Sequence, residues 1–165
     1  MNQLSEEILI LGIGNVLMGD EGVGVHAIRQ LETQTFPKNI HLLDGGTGGF
    51  HLLSYMQEYP FIIMIDATMD GKPPGTISVL EPRFASDFPR ALSAHDIGLR
   101  DLVESTAMLG DLPKMFLIAV SIDKIQPMQT ELSPIIKKSI PSIQAAVRKI
   151  LNRKILPGKK ISLPV

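Results

Sequence analysis

Residues 8–33 read ILILGIGNVLMGDEGVGVHAIRQLET, and the change of period inside that stretch decides the fold. Ile8 to Ile13 is a continuous apolar run, the pattern of a strand buried on both faces of a parallel sheet. From Gly22 to Thr33 the apolar residues Val23, Ala27, Ile28 and Leu31 recur at helical spacing, with Arg29, Gln30 and Glu32 turned outward. A strand, a glycine-rich loop and a helix are the opening unit of an α/β sheet. The unit returns: Ile40 to Leu43 leads into Asp44-Gly45-Gly46-Thr47-Gly48-Gly49 and then a short helix over Phe50 to Tyr59. Phe61 to Ala67 (FIIMIDA) is the most apolar strand, and its Asp66 sits at the carboxyl end, where doubly wound sheets bind ligands. Thr76 to Glu81 alternates and reads as a strand nearer an edge, Ala85 to Ala91 as irregular, and Met115 to Ile122 as another buried strand. Helices are expected over Ile97 to Leu109 and over Leu132 to Leu151, where Pro141 kinks or splits the second. The pattern predicts one α/β domain over residues 1–165, a three-layer α/β/α stack whose twisted, mostly parallel sheet has about five strands, with a flexible basic tail from residue 153 onward.

Composition removes several classes of function. Of 165 residues, 44% are hydrophobic and 20% charged, enough apolar surface to offset the entropy of folding. Sixteen Lys and Arg against 17 Asp and Glu leave a net charge of -1, so no broad basic field exists for a nucleic acid backbone. With no cysteine, thiol nucleophiles, zinc-thiolate sites and disulfides are excluded together, and the chemistry must use oxygen and nitrogen. The opening MNQLSEE lacks a basic region followed by an apolar stretch, and no run is long enough to span a bilayer. The expectation is a soluble, cytoplasmic monomer with no nucleic acid or membrane partner.

The loop from Gly12 to Gly24 carries the first candidates. A dinucleotide fingerprint would need a third glycine at position 17, where this chain has Leu17, and a P-loop would need a Gly-Lys-Ser/Thr ending that is absent. The loop offers acid instead. Asp20 and Glu21 stand where a helix begins, so capping of its unpaired N–H groups is one reading, and Glu21 as a metal ligand or catalytic group is the other. Asp66 ends an otherwise uncharged buried strand, a costly place for a carboxylate unless it is paired or bound to a cation. Asp44 precedes Gly45-Gly46 and reads as a turn residue that caps backbone N–H groups. His26, His41 and His51 fall inside expected helices or a strand and read as packed or surface residues. His95 lies in a loop just before a helix, beside Asp96, where chemistry concentrates on a rigid scaffold. Glu21, Asp66 and His95 each lie at or just after a strand's carboxyl end. One imidazole and two carboxylates make a divalent site suited to nickel, zinc, iron or manganese. Neither a Gly-x-Ser-x-Gly elbow nor a His-Glu-x-x-His helix is present.

These residues resemble the hydrogenase maturation endopeptidases, which trim the large subunit of nickel-iron hydrogenases. The resemblance rests on Gly12-Ile13-Gly14-Asn15 with Leu17, then Gly19-Asp20-Glu21-Gly22 and Gly24; on Asp44-Gly45-Gly46-Thr47; on Asp66-Ala67; and on Ser93-Ala94-His95 followed by Gly98-Leu99 and Asp101-Leu102. It implies an endopeptidase that removes the carboxyl-terminal extension of a nickel-loaded large-subunit precursor. It also implies that Glu21, Asp66 and His95 hold the metal, with nickel supplied by the precursor, or a surrogate divalent ion in its place, rather than a permanent cofactor.

Two mechanisms fit that expectation. In one, the metal held by the three ligands positions the scissile peptide and activates water; in the other it serves for docking only, and Asp66 or Glu21 acts as general base. The rival from another class is a non-catalytic metal-binding chaperone or carrier for hydrogenase assembly that uses the same ligands.

Overall fold

The structure, a computed structural model, describes residues 6–89 and 98–155. The apolar runs form β1 (Ile8–Gly12), β2 (Ile40–Asp44), β3 (Phe61–Thr68) and β5 (Lys114–Ser121), all parallel, while β4 (Ile77–Leu80) pairs antiparallel with β5. The strand order is β2-β1-β3-β5-β4, so the strand nearest the edge in the sequence pattern closes the sheet.

Side chains alternate across each strand, and the sheet therefore has two apolar faces. Ile8 and Ile10 of β1, Ile63 and Ile65 of β3, and Ile118 and Val120 of β5 point to one face, under Val23, Ala27, Ile28 and Leu31 of α1 (Val23–Leu31) and Ile143, Val147 and Leu151 of α5 (Ile140–Ile155). Leu9 and Leu11, Ile62 and Met64, and Leu117 and Ala119 point to the other, under Leu52 and Met56 around α2 (Leu53–Glu58) and Leu99, Leu102 and Val103 of α3 (Leu99–Leu109). Helix, sheet and helix are the three layers.

The closing helix splits rather than kinks. α4 (Pro134–Lys137) ends at Lys138, and α5 restarts at Ile140, which puts Pro141 in its first turn. A proline N–H is not needed there, and its fixed φ suits a helix start, so the break falls before the proline. α5 continues through Arg153 and Lys154 to Ile155, so the first residues of the expected tail are helical, and residues 156–165 lie outside the described residues. The expected helix over Phe50 to Tyr59 begins as a 3-10 turn, Phe50–Leu52, before α2.

The topology fixes where a ligand would sit. β1 leads to β2 on one side, and β2 crosses back over β1 to β3 on the other, so the chain reverses direction between β1 and β3. A crevice opens at the carboxyl ends of strands at such a switch point. Glu21 follows β1, and Asp66 lies in β3, two residues before its end.

Candidate functional site at the carboxyl edge of the sheet

The loop after β1 is held down by its neighbours. Ile13 N–H donates to the Ile65 carbonyl at 2.9 Å, Gly14 N–H to the Gly46 carbonyl at 2.7 Å, and Gly45 N–H to the Gly12 carbonyl at 2.8 Å. The chain then turns through Asn15, whose Oδ1 accepts the Leu17 N–H at 3.0 Å, into a 3-10 turn over Gly19–Gly22 that runs straight into α1. Gly24 permits the tightest approach: a Cβ there would lie 2.2 Å from the Ile65 carbonyl oxygen and 2.3 Å from that of Ile13. Only glycine lets α1 start pressed against the end of β3.

That packing sets Glu21 beside the end of β3. Glu21 is partly buried, and its Oε2 accepts the Asn15 N–H. Asp66 is likewise partly buried, and its Oδ1 accepts the N–H of Ala67 at 2.9 Å. The two carboxylates thus lie on the loop after β1 and near the end of β3, the two strands that meet at the switch point, and each accepts a backbone N–H. Two hard oxygen donors suit a divalent ion. His95 lies outside the described residues, and among the described residues no three His, Asp or Glu side chains gather into a metal site.

Asp20, the neighbour of Glu21, has a different part. It is 1% exposed, and its carboxylate accepts Gln126 Nε2 at 2.9 Å, the Ser133 N–H at 2.7 Å and the Ser133 hydroxyl at 2.7 Å. Its own N–H donates to Gln126 Oε1 at 2.8 Å. A buried carboxylate so fully bonded is a structural pin rather than a helix cap. A short bridge between Met18 and Gln129, with Gly19 N–H on the Gln129 carbonyl at 2.8 Å, runs alongside it. The loop that carries Glu21 is thereby tied to residues 126–133. Nothing near Asp20 in sequence marks these partners.

The other candidates fall where the sequence reading puts them. Asp44 Oδ1 accepts the Gly46 N–H at 2.9 Å, and the same side chain lies 3.6 Å from Arg29 Nη2. His41 stands at the surface, 2.5 Å from the Glu7 carboxylate and edge-on to the Tyr59 ring. His51 is exposed in the 3-10 turn before α2. His26 is partly buried, and burial, then the Arg29 charge, lowers its pKa below the usual 6.5. At the rim, Leu17 is 58% exposed and Met128 94% exposed, the latter with a left-handed φ of 62°.

Residues 25–152 match the family described as Hydrogenase maturation protease. The chain is 38% identical over 148 residues to the Hydrogenase expression/formation protein HupD of Thiocapsa roseopersicina, which covers 86% of this chain and 66% of that protein. It is 32% identical over 148 residues to the Hydrogenase 2 maturation protease of Escherichia coli (strain K12), covering 86% of this chain and 90% of that one. Among solved structures, the hydrogenase maturating endopeptidase HybD from E. coli is similar with a TM-score of 0.81 at 31% identity, over 89% of this chain and 93% of that chain.

Proposed function

The chain belongs to the hydrogenase maturation protease family and is by that membership a hydrolase; from this premise we propose that it is the endopeptidase that removes the carboxyl-terminal extension of a nickel-loaded nickel-iron hydrogenase large-subunit precursor. What supports this reading is that Glu21 and Asp66 belong to the loop after β1 and to the end of β3, segments joined by backbone bonds at the switch point of the sheet.

Nickel arrives as part of the substrate. Glu21, Asp66 and His95 supply two carboxylates and an imidazole to its open positions, which places the scissile peptide against the crevice. Asp66 or Glu21 then takes a proton from the attacking water as general base. Rigid anchoring of both carboxylates suits either duty, because misplacement of a positioned group by about 1 Å costs on the order of a hundredfold in rate. The reaction belongs in the cytoplasm, where a large subunit would be metallated before it closes; among the described residues no helix is long and apolar enough to cross a membrane.

The test is to mix the protein with a cognate precursor and to read the precursor's mass. A metal carrier would take up nickel without precursor and leave the precursor mass unchanged, whereas the endopeptidase shortens it.

A further inference from the structure

The backbone donors of the loop after β1 are spent inside the protein. Among the described residues, every N–H from Ile13 to Glu21 has an acceptor within the chain except that of Val16. The Val16 nitrogen lies against Gly22, where an added Cβ would come within 3.2 Å of it. One side-chain donor on the loop is left over. The Leu17 N–H needs an oxygen, so its 3.0 Å bond to Asn15 fixes which branch of the amide is Oδ1 and leaves Nδ2 as the other. Asn15 is partly buried, and among the described residues its Nδ2 meets no acceptor and is not shut off from solvent.

The neighbours of Asn15 are the two candidate carboxylates. Glu21 Oε2 accepts the Asn15 N–H, and Gly14 approaches so closely that a Cβ there would lie 2.2 Å from the Glu21 carbonyl oxygen. Two residues before Asn15, the Ile13 N–H bonds the carbonyl of Ile65, the residue that precedes Asp66. In the sequence Asn15 closes the Gly12-Ile13-Gly14-Asn15 run, to which metal ligation gives no task. A turn that needed only an oxygen acceptor could be made by Asp or Ser; Asn adds a donor.

We propose that Asn15 is a catalytic residue whose Nδ2 donates to the oxygen of the scissile carbonyl and stabilises the negative charge that forms there. The proposal rests on the endopeptidase reading above. In that reaction a water oxygen adds to the carbonyl carbon, one water proton passes to Asp66 or Glu21, and the carbonyl π electrons become a lone pair on an oxyanion. The pair returns as the C–N bond breaks, and the leaving nitrogen takes the proton back from the base. Ionised carboxylates have acceptors only, so Glu21 and Asp66 repel the oxyanion rather than hold it. The Asn15 amide is a neutral donor, held by the Leu17 bond before the charge develops, and needs little reorganisation to meet it.

The experiment uses the full chain and its nickel-loaded precursor, with kcat and KM read from the shortened precursor by intact mass. Asn15→Asp keeps the oxygen for Leu17 and removes the donor. Asn15→Ala removes both without adding a charge beside Glu21, at the loss of one exposed bond. Both variants are expected to unfold with the parent on heating, to keep KM within about twofold and to lose about a hundredfold or more in kcat, as for one oxyanion donor. Parent-like kcat in Asn15→Asp overturns the proposal and leaves Asn15 a turn residue. Parent-like kcat in Asn15→Ala alone overturns it as well and assigns the loss in Asn15→Asp to its added charge. A raised KM at unchanged kcat makes Asn15 a ground-state contact and also overturns the role. In these cases the parent still cleaves, so the activity stands; a parent that binds precursor without shortening it removes the activity and this role together.

Discussion

Asp20 receives both the backbone N–H and the hydroxyl of Ser133, each at 2.7 Å, across a sequence separation of 113 residues. This pair ties the turn that presents Glu21 to the segment that begins α4. Removing one partner of a buried charged hydrogen-bond set leaves donors unsatisfied, so Asp20→Ala is expected to cost about 3 kcal/mol. Ser133→Ala, which leaves the backbone donor in place, is expected to cost about 1 kcal/mol. Chemical denaturation of the two single variants and the double variant measures both, and the double variant should fall short of the sum because the residues share bonds. Native-like stability of Asp20→Ala with lost activity would move Asp20 from the scaffold to the chemistry.

Gly24→Ala forces a methyl group to within 2.2 Å of the Ile65 carbonyl oxygen, so either α1 lifts or β3 shifts. A loss of about 3 kcal/mol or more, or no folded protein, is expected. Gly110→Ala is the control: its φ of 164° is ordinary extended backbone, and among the described residues no atom lies within 4 Å of the added Cβ. That change should stay within about 0.5 kcal/mol of the parent. Thermal unfolding distinguishes the two, since 1 kcal/mol moves the midpoint by about 2–4 °C at this size.

The pKa of His26 is lowered in the folded state, first by burial and then by Arg29, with Lys137 acting in the same direction and the Thr130 backbone and Glu131 against it. The unfolded chain therefore binds the proton more readily, and stability rises with pH across this group. The contribution is fully present above the ordinary histidine value of 6.5 and is lost as pH falls through the folded pKa. His26→Gln should flatten the fall in stability between pH 7 and pH 5 relative to the parent. A parallel fall in both proteins would mean that His26 titrates as an exposed histidine.

The parts of this architecture that were legible in the sequence are those specified locally. Runs such as Phe61 to Ala67 and Met115 to Ile122 mark buried parallel strands because both faces are covered, and alternation at Thr76 to Glu81 marks the edge. The turn role of Asp44 was legible for the same reason, since its acceptor bond reaches only to Gly46. Glu21 was singled out in the sequence, but the part of its neighbour Asp20 was not legible, because its partners Gln126 and Ser133 lie more than a hundred residues away. The break before α5 was expected at Pro141, but a proline is accommodated in a first turn, so the helix ends earlier. His95 lies outside the described residues.

Asp66→Asn keeps an oxygen for the Ala67 N–H, so the fold should hold within about 1 kcal/mol while processing of precursor falls by a hundredfold or more. Binding of precursor to this variant, followed by pull-down, then assigns the role. Retained binding without cleavage marks Asp66 as the general base, and lost binding marks it as a ligand to the precursor's metal.

The most direct measurement is the intact mass of a large-subunit precursor, nickel-loaded or nickel-free, after incubation with the purified protein. The account predicts that the nickel-loaded precursor alone loses a short carboxyl-terminal peptide. Equal cleavage of both forms would contradict the role of nickel, and an unchanged mass of a precursor shown to bind would contradict the endopeptidase itself.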